Sequence, residues 1–185
     1  MRKVIMFNMI SLDGYFEGKN KWDLNWHQVD QEFDGFTIEQ LKEAGGIIFG
    51  RVTYEGMASF WQSDEAVKTY PIISEMMNSL PKFVFSKTIR AAEWNNAKLI
   101  TGDATNELVD LKMQSGKDLF IFGSSELSTT FIEKNLIDEF RLMVNPVVLG
   151  CGGSLFKENN GTIKLKLLKV RTFHNGNILL HYSPG

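Results

Sequence analysis

Apolar residues come in short runs at Val4–Ile10, Gly46–Phe49, Lys82–Phe85, Lys98–Ile100, Leu119–Phe122 and Glu139–Leu149, separated by longer stretches in which charges recur. Runs of this length predict strands, and unbroken ones predict strands covered on both faces. The stretches between them carry helical spacing. Gln28 to Ala44 sets Val29, Phe33, Phe36, Ile38 and Leu41 among charges, and Thr53–Trp61 opens on an N-cap type of residue. Pro71–Leu80 accepts its proline in a first turn, Asn106–Ser115 stops before Gly116, and Ser125–Asn135 starts from serines. Strand and helix alternate through the first two thirds of the chain, which predicts an α/β fold with a mainly parallel sheet.

The last third follows another pattern. Ile163–Phe173 and Gly176–Tyr182 flank His174-Asn175-Gly176, and Asn-Gly between two strand patterns is a hairpin signal. Lys164, Lys166 and Lys169 alternate with apolar residues, as in a strand with one wet face. The sheet is therefore expected to be mixed, closed by a C-terminal antiparallel hairpin. With no repeat, low-complexity tract or proline-rich linker, residues 1–185 read as one domain.

Composition narrows the function classes. A 185-residue chain buries roughly 70% of its surface on folding, so its core requires neither disulfides nor a structural metal. Twenty basic against 22 acidic residues leave a net charge of −2, which offers no field for a nucleic-acid backbone or an anionic membrane. Cys151 is the sole cysteine, which excludes an intramolecular disulfide and points to a reducing, cytoplasmic setting. The apolar stretch before Asn8 is too short for a signal peptide or a membrane span. His27, His174 and His181 lack metal-ligand spacing and read as surface or strand histidines. No serine lies in a G-x-S-x-G elbow.

Candidate chemistry gathers in turns that follow strands, where open α/β sheets bind ligands. In Phe49-Gly50-Arg51-Val52-Thr53 a strand runs into a helix start, so unpaired N–H groups, a close-approach glycine and the Arg51 guanidinium suit a phosphate; a routine turn with a surface arginine is the alternative. Phe122-Gly123-Ser124-Ser125 repeats the arrangement, and two such turns suggest a diphosphate held between two helix starts. Ser86, Lys87 and Thr88 end another strand. With Arg51 they would hold a ribose phosphate, which would favour the phosphorylated nicotinamide cofactor; a solvated loop is the alternative. Leu149-Gly150-Cys151-Gly152-Gly153-Ser154-Leu155 fails as a dinucleotide fingerprint, because Leu155 is not small and Val170 is not acidic. Acid–base candidates are Asp13 and the cluster Asp30, Glu32 and Asp34, most of it a helix-start face. Trp22, Trp26, Met57, Phe60 and Trp61 read mostly as core, although Met57 and Trp61 share a helix face and can line a pocket wall.

Several of these segments occur together in a known order. Ser11-Leu12-Asp13-Gly14-Tyr15, Gly50-Arg51-Val52-Thr53-Tyr54-Glu55, Phe85-Ser86-Lys87-Thr88, Phe122-Gly123-Ser124-Ser125-Glu126-Leu127, Leu136-Ile137-Asp138-Glu139-Phe140-Arg141 and Asn145-Pro146-Val147-Val148-Leu149-Gly150 span nearly the whole chain. In order and spacing the chain resembles the dihydrofolate-reductase-like superfamily, and more narrowly stand-alone proteins similar to the C-terminal reductase domain of the bifunctional riboflavin-biosynthesis deaminase/reductase. The resemblance implies a central sheet flanked by helices, with NADPH across the strand ends. Gly50, Arg51, Val52 and Thr53 would meet its phosphates, Ser86, Lys87 and Thr88 its ribose phosphate, and Gly123, Ser124 and Ser125 would form the second diphosphate turn. The segment from Asn8 to about Trp26 would be a loop over the nicotinamide, and Asn8, Met57 and Trp61 would face substrate. The catalytic acid falls on Asp34 by a gapless count back from Gly50, with Asp30 one turn away and Asp13 as the rival in the riboflavin branch. The implied activity is hydride transfer to a small pterin- or pyrimidine-like metabolite, of the dihydrofolate reductase or 5-amino-6-(5-phosphoribosylamino)uracil reductase kind. The alternative is a non-catalytic nucleotide-binding or structural protein that keeps the fold. A homodimer is expected, because the hairpin leaves an outer strand to cover.

Overall fold

The structure, a computed structural model, describes residues 1–123, 125–156 and 162–185. In chain order the elements are β1 (Val4–Ile10), β2 (Tyr15–Glu17), α1 (Gln31–Glu43), β3 (Ala44–Gly50), α2 (Arg51–Trp61), α3 (Asp64–Thr69), α4 (Pro71–Ser79), β4 (Lys82–Phe85), β5 (Ala97–Ile100), α5 (Ala104–Met113), β6 (Asp118–Phe122), α6 (Ser125–Glu133), β7 (Glu139–Val144), β8 (Gly153–Ser154), β9 (Leu165–Thr172) and β10 (Ile178–Pro184). An eight-stranded sheet runs β5-β4-β3-β6-β1-β7-β10-β9. Its pairs from β5 through β7 are parallel, and β10 pairs antiparallel with both β7 and β9. The mixed, mainly parallel α/β sheet with a terminal hairpin is thus the architecture that the alternation of patterns predicts.

Strand residues separate by parity into two cores. Val4, Met6, Ile48, Leu119 and Ile121 pack with α5 and α6, whereas Ile5, Ile47, Phe49 and Phe120 pack with Leu41 of α1 and with α4 through Ile73 and Met77. The central strands carry apolar side chains on both faces because both faces are covered by helices. A smaller cluster of Phe36, Met143, Phe173 and Leu179 seats α1 on the hairpin end of the sheet.

Local chemistry moves several boundaries. Helix α1 starts at Gln31 rather than Gln28, because the Asp30 carboxylate accepts the Phe33 N–H at 2.9 Å and caps the helix. Helix α2 begins at Arg51 on Gly50, whose lack of a side chain leaves the helix start uncapped; Thr53 lies inside the first turn and is not the cap. Helix α5 starts at Ala104 on an Asp103 cap. Strand β7 stops at Val144, five residues short of the apolar run, as Asn145 turns its amide toward Ile10 and Met143 and Pro146 has no N–H to donate. Helix α3 and the β2–β8 ribbon are too short to show as periodicity. Strand β9 is the outer strand and is exposed along most of its length on both faces, not one.

Candidate functional site

A cleft of about 990 Å³ opens at the carboxyl ends of β1, β3, β4 and β6, reached by Asn8 and Met9, Gly50, Phe85, and Phe122 and Gly123. That volume lies at the upper end of what small-molecule sites enclose. One wall is the α1 face carrying Phe33, Asp34, Thr37, Gln40 and Leu41; the facing wall is α2, with Met57, Phe60 and Trp61. Phe16, Glu17 and Trp22 come from the segment between β1 and α1 and cover the opening.

The phosphate candidates meet at one end. Gly123 has φ +73°, and a Cβ there would stand 3.2 Å from Cγ2 of Thr53, so the two glycine turns lie side by side. Helix α2 has no acidic residue in its first turn, and its N-terminal N–H groups have no side-chain cap. Arg51 is exposed and bonded at 2.9 Å to Glu55 one turn on, a surface pair that an anion can replace at little cost. Helix α6 carries Glu126 in its first turn, so of the two helix starts that of α2 is the better anion site. Gly50, Arg51, Val52, Thr53, Gly123 and Ser125 all line the cleft. An uncapped helix start, a close-approach glycine and an adjacent guanidinium are donors that fit a diphosphate such as that of NADPH. Ser124 lies outside the described residues. Ser86, Lys87 and Thr88 do not line the cleft; they follow Phe85, which does, and the Ser86 hydroxyl accepts the N–H groups of Thr88 and Ile89.

The other end is aromatic and polar. The Asp34 carboxyl makes no hydrogen bond or ion pair among the described residues, and burial together with the Asp30 charge raises its pKa above the ordinary carboxylate value. Asn8 is 4% exposed and Gln40 3%; the Oδ1 of Asn8, the Oε1 of Gln40, the Nε1 of Trp61 and the Nε2 of His27 are all buried without a partner. Their residues all line the cleft. Unpaired buried polar atoms are rare in folded proteins, and four among the residues of one cleft single it out as a candidate ligand site.

Sequence reasoning named Asp34 as the acid and Asn8, Met57 and Trp61 as facing substrate, and the structure brings all four into one cleft with Gly50–Thr53. It places Asp13 elsewhere. The Asp13 carboxylate accepts the Ser11 hydroxyl at 2.6 Å, the Leu149 N–H at 3.1 Å and the Gly150 N–H at 2.7 Å. The Ser11 bond is the largest influence and, with the two N–H groups, holds its pKa down to about 2. Asp13 thereby fastens the turn before β2 to the loop before β8, away from the cleft wall. Asp30 is occupied as the α1 cap. His27, read as a surface or strand residue, lines the cleft, and Trp22, read as core, is 42% exposed on its rim. Neither could be found from spacing, because both sit in an irregular segment that only the tertiary fold lays against α2. Gln40 was recoverable as a polar residue on the buried stripe of α1.

Residues 2–179 match the RibD C-terminal domain family. The chain belongs to that family. The uncharacterized protein YyaP of Bacillus subtilis (strain 168) is 35% identical over 181 residues, covering 98% of this chain and 94% of YyaP. Among solved structures, the chain is similar to a diaminohydroxyphosphoribosylaminopyrimidine deaminase/5-amino-6-(5-phosphoribosylamino)uracil reductase of Thermotoga maritima. That likeness has TM-score 0.70 and 14% identity, and covers 100% of this chain and 57% of the other. It is similar also to dihydrofolate reductase of Enterococcus faecalis complexed with NADP(H), with TM-score 0.66, 13% identity, and coverage of 99% and 96%. The fold is therefore of the dihydrofolate-reductase-like type.

Proposed function

We propose that the chain is an NADPH-dependent reductase that transfers hydride to a C=N or carbonyl carbon of a small pterin- or pyrimidine-like ring. The observation that carries this reading is one cleft with an open helix start and Arg51 at one end and an unpaired carboxyl, Asp34, among aromatic side chains at the other. The family and the two reductase neighbours support it.

Bound NADPH would supply the hydride. The work of the chain is to bind and to orient. The N–H groups at the start of α2, Arg51 and the turn at Gly123 and Ser125 hold phosphate; Ser86, Lys87 and Thr88 take the ribose phosphate at the edge. Phe33, Phe60 and Trp61 sandwich a flat ring and exclude water. Asp34, its pKa raised, hydrogen-bonds the ring and returns a proton to the nitrogen or oxygen that gains an electron pair as the neighbouring carbon takes the hydride. Asp13 acts at a distance, by holding the base of the ribbon that carries Phe16 and Glu17.

The test is a titration with NADPH followed by tryptophan quenching, then a screen of dihydropterin, aminopyrimidine and aldehyde substrates by NADPH oxidation, with Asp34→Asn beside the wild type. Absence of saturable NADPH binding rejects the reading. NADPH binding with no substrate-dependent oxidation favours a non-catalytic nucleotide-binding protein. The reading extends to a cytoplasmic homodimer, supported by the half-exposed Leu167, Leu168 and Val170 on the outer strand β9; a single-copy mass by light scattering removes the dimer. Among the described residues no helix is long and apolar enough to cross a membrane.

A further inference from the structure

Among the cleft-lining residues, His27 holds a buried ring nitrogen, Nε2, that is used neither by the fold nor by the phosphate end. The peptide that carries it is held by the sheet rather than by the covering segment. The His27 N–H bonds to the Leu24 carbonyl at 3.0 Å, and the next residue is gripped through both its N–H and its carbonyl. The Gln28 N–H donates to Oδ1 of Asn145 at 2.8 Å, and the Gln28 carbonyl accepts from Nδ2 of Asn177 at 2.8 Å and Nδ2 of Asn175 at 3.2 Å. Asn145 and Asn177 are both fully buried, and Asn145 is itself tied to the ends of β1 and β7 through the carbonyls of Ile10 and Met143. Two buried asparagines, one just after β7 and one just before its antiparallel neighbour β10, thus fix the backbone beside a single histidine.

The ring is oriented as well. Trp26 meets it edge to face, with centroids 4.4 Å apart, and the Trp26 indole is anchored to the Asp23 carbonyl at 2.9 Å. A histidine serving as packing has its nitrogens bonded to carbonyls or carboxylates. Among the described residues the His27 ring has no hydrogen-bond partner, its Nε2 is buried and unpaired, and burial pushes its pKa down to about 4, so the imidazole is neutral at physiological pH. A neutral imidazole offers one donor and one acceptor. Around the same cleft the other unclaimed groups are three acceptors, Oδ1 of Asn8, Oε1 of Gln40 and the Asp34 carboxyl, and one donor, Nε1 of Trp61. Such a wall repels an anion and accepts N–H groups.

We infer that His27 is a substrate-contacting residue whose Nε2 hydrogen-bonds an uncharged planar heterocycle, and that it helps the cleft choose unphosphorylated, uncarboxylated rings with N–H edges over anionic ones. This rests on the reading that the aromatic end of the cleft holds the substrate.

The probes are pterin and its anionic relative pterin-6-carboxylate, titrated by calorimetry into NADPH-saturated wild type, His27→Ala and His27→Gln. In parallel, histidine ring nitrogens are followed by NMR and His27 is assigned by its loss in the alanine variant. Pterin is expected to move the His27 Nε2 resonance and to bind more tightly than the carboxylate. His27→Ala should weaken pterin roughly tenfold, and His27→Gln, which restores a hydrogen-bonding group near Nε2, should recover most of that loss. NADPH affinity should remain within about twofold in both variants. The inference is overturned if pterin binds with the His27 resonance unmoved, if His27→Ala binds it like wild type, if the carboxylate binds as well as pterin, or if NADPH-loaded wild type binds neither. It is overturned equally if NADPH affinity falls along with pterin affinity, which would put His27 at the cofactor. Failure of wild type to bind NADPH at all rejects the cofactor reading instead, and pterin binding to the free protein then still decides the role of His27.

Discussion

The indole of Trp22 rests directly on Gly56 of α2, so close that a Cβ at position 56 would overlap ring atoms Cζ2 and Cη2. This contact fastens the segment between β1 and α1 across the cleft mouth. Trp22 holds a left-handed backbone at φ +64° to reach it, and its N–H is tied to the Glu17 carboxylate at 3.2 Å.

Gly56→Ala therefore tests whether the covering segment matters to binding. Alanine favours the helix by about 1 kcal/mol over glycine, so the melting temperature should hold or rise while Trp22 is pushed off. The expected result is a red shift in tryptophan emission and weaker NADPH quenching. Unchanged emission and affinity would show that the indole is not a cover.

Asp13 gives a pH prediction. Its folded pKa of about 2 lies below the ordinary 3.8, so its contribution to stability is fully present above about pH 4 and is lost as pH falls through 2. Asp13→Asn should lower the urea midpoint at pH 6, and the gap from wild type should close between pH 4 and pH 2. In the NADPH-oxidation screen Asp13→Asn should lose less than Asp34→Asn, because Asp13 holds a loop and does not line the cleft.

Lys82 gives one with the same slope but in the alkaline range. The side chain is fully buried at the start of β4, with Nζ donating to the carbonyls of Asn78 at 2.8 Å and Asn95 at 2.9 Å and lying 4.4 Å from the Trp94 ring centroid. Burial lowers its pKa from 10.5 to about 8. Between those values the unfolded chain binds more protons than the folded one, so this group makes stability rise with pH. Relative to Lys82→Met, the wild type should gain about 2 kcal/mol from pH 8 to pH 10.5 in urea unfolding.

The raised pKa of Asp34 has a second cause besides burial, the Asp30 charge one turn before it. Asp30→Asn removes that charge and keeps the cap, since asparagine accepts the Phe33 N–H as well. The Asp34 carboxyl, followed by carbon-13 NMR, should titrate at lower pH in the variant, and thermal stability should change little. An unmoved midpoint would leave burial as the whole cause.

Lys87 is exposed just beyond the cleft edge, where a ribose phosphate would lie. Lys87→Glu should weaken NADPH several-fold and NADH hardly at all, because only the first carries the extra phosphate. Equal losses for the two would remove Lys87 from the cofactor site.

The sheet was readable because its determinants are local and repeat. The apolar runs of β1, β3 and β6 report their own burial on two faces, and Asn175-Gly176 forms the predicted hairpin turn, with Gly176 at φ +90°. The glycine turns at Gly50 and Gly123 were readable for the same reason, since a strand end followed by a helix start is a pattern in one stretch of chain. Helix and strand ends were less legible. Side-chain partners set them, as Asp30 caps α1 and Asn145 ends β7.

Membership in the site was decided by contacts between segments far apart in sequence. Asp13 and Asp34 are alike as letters, but the N–H groups of Leu149 and Gly150 claim the first, while α1 turns the second into the cleft unclaimed. His27 and Trp22 carry no periodic signal; Asn145 and Asn177 position one, and the bare backbone of Gly56 receives the other. The sequence by itself determined that a mainly parallel sheet closes with an antiparallel hairpin, because hydrophobic period and turn chemistry are properties of neighbouring residues. The tertiary structure alone decided which polar groups are left without partners, because a hydrogen bond spanning more than a hundred residues is set by the packed fold and by no local pattern.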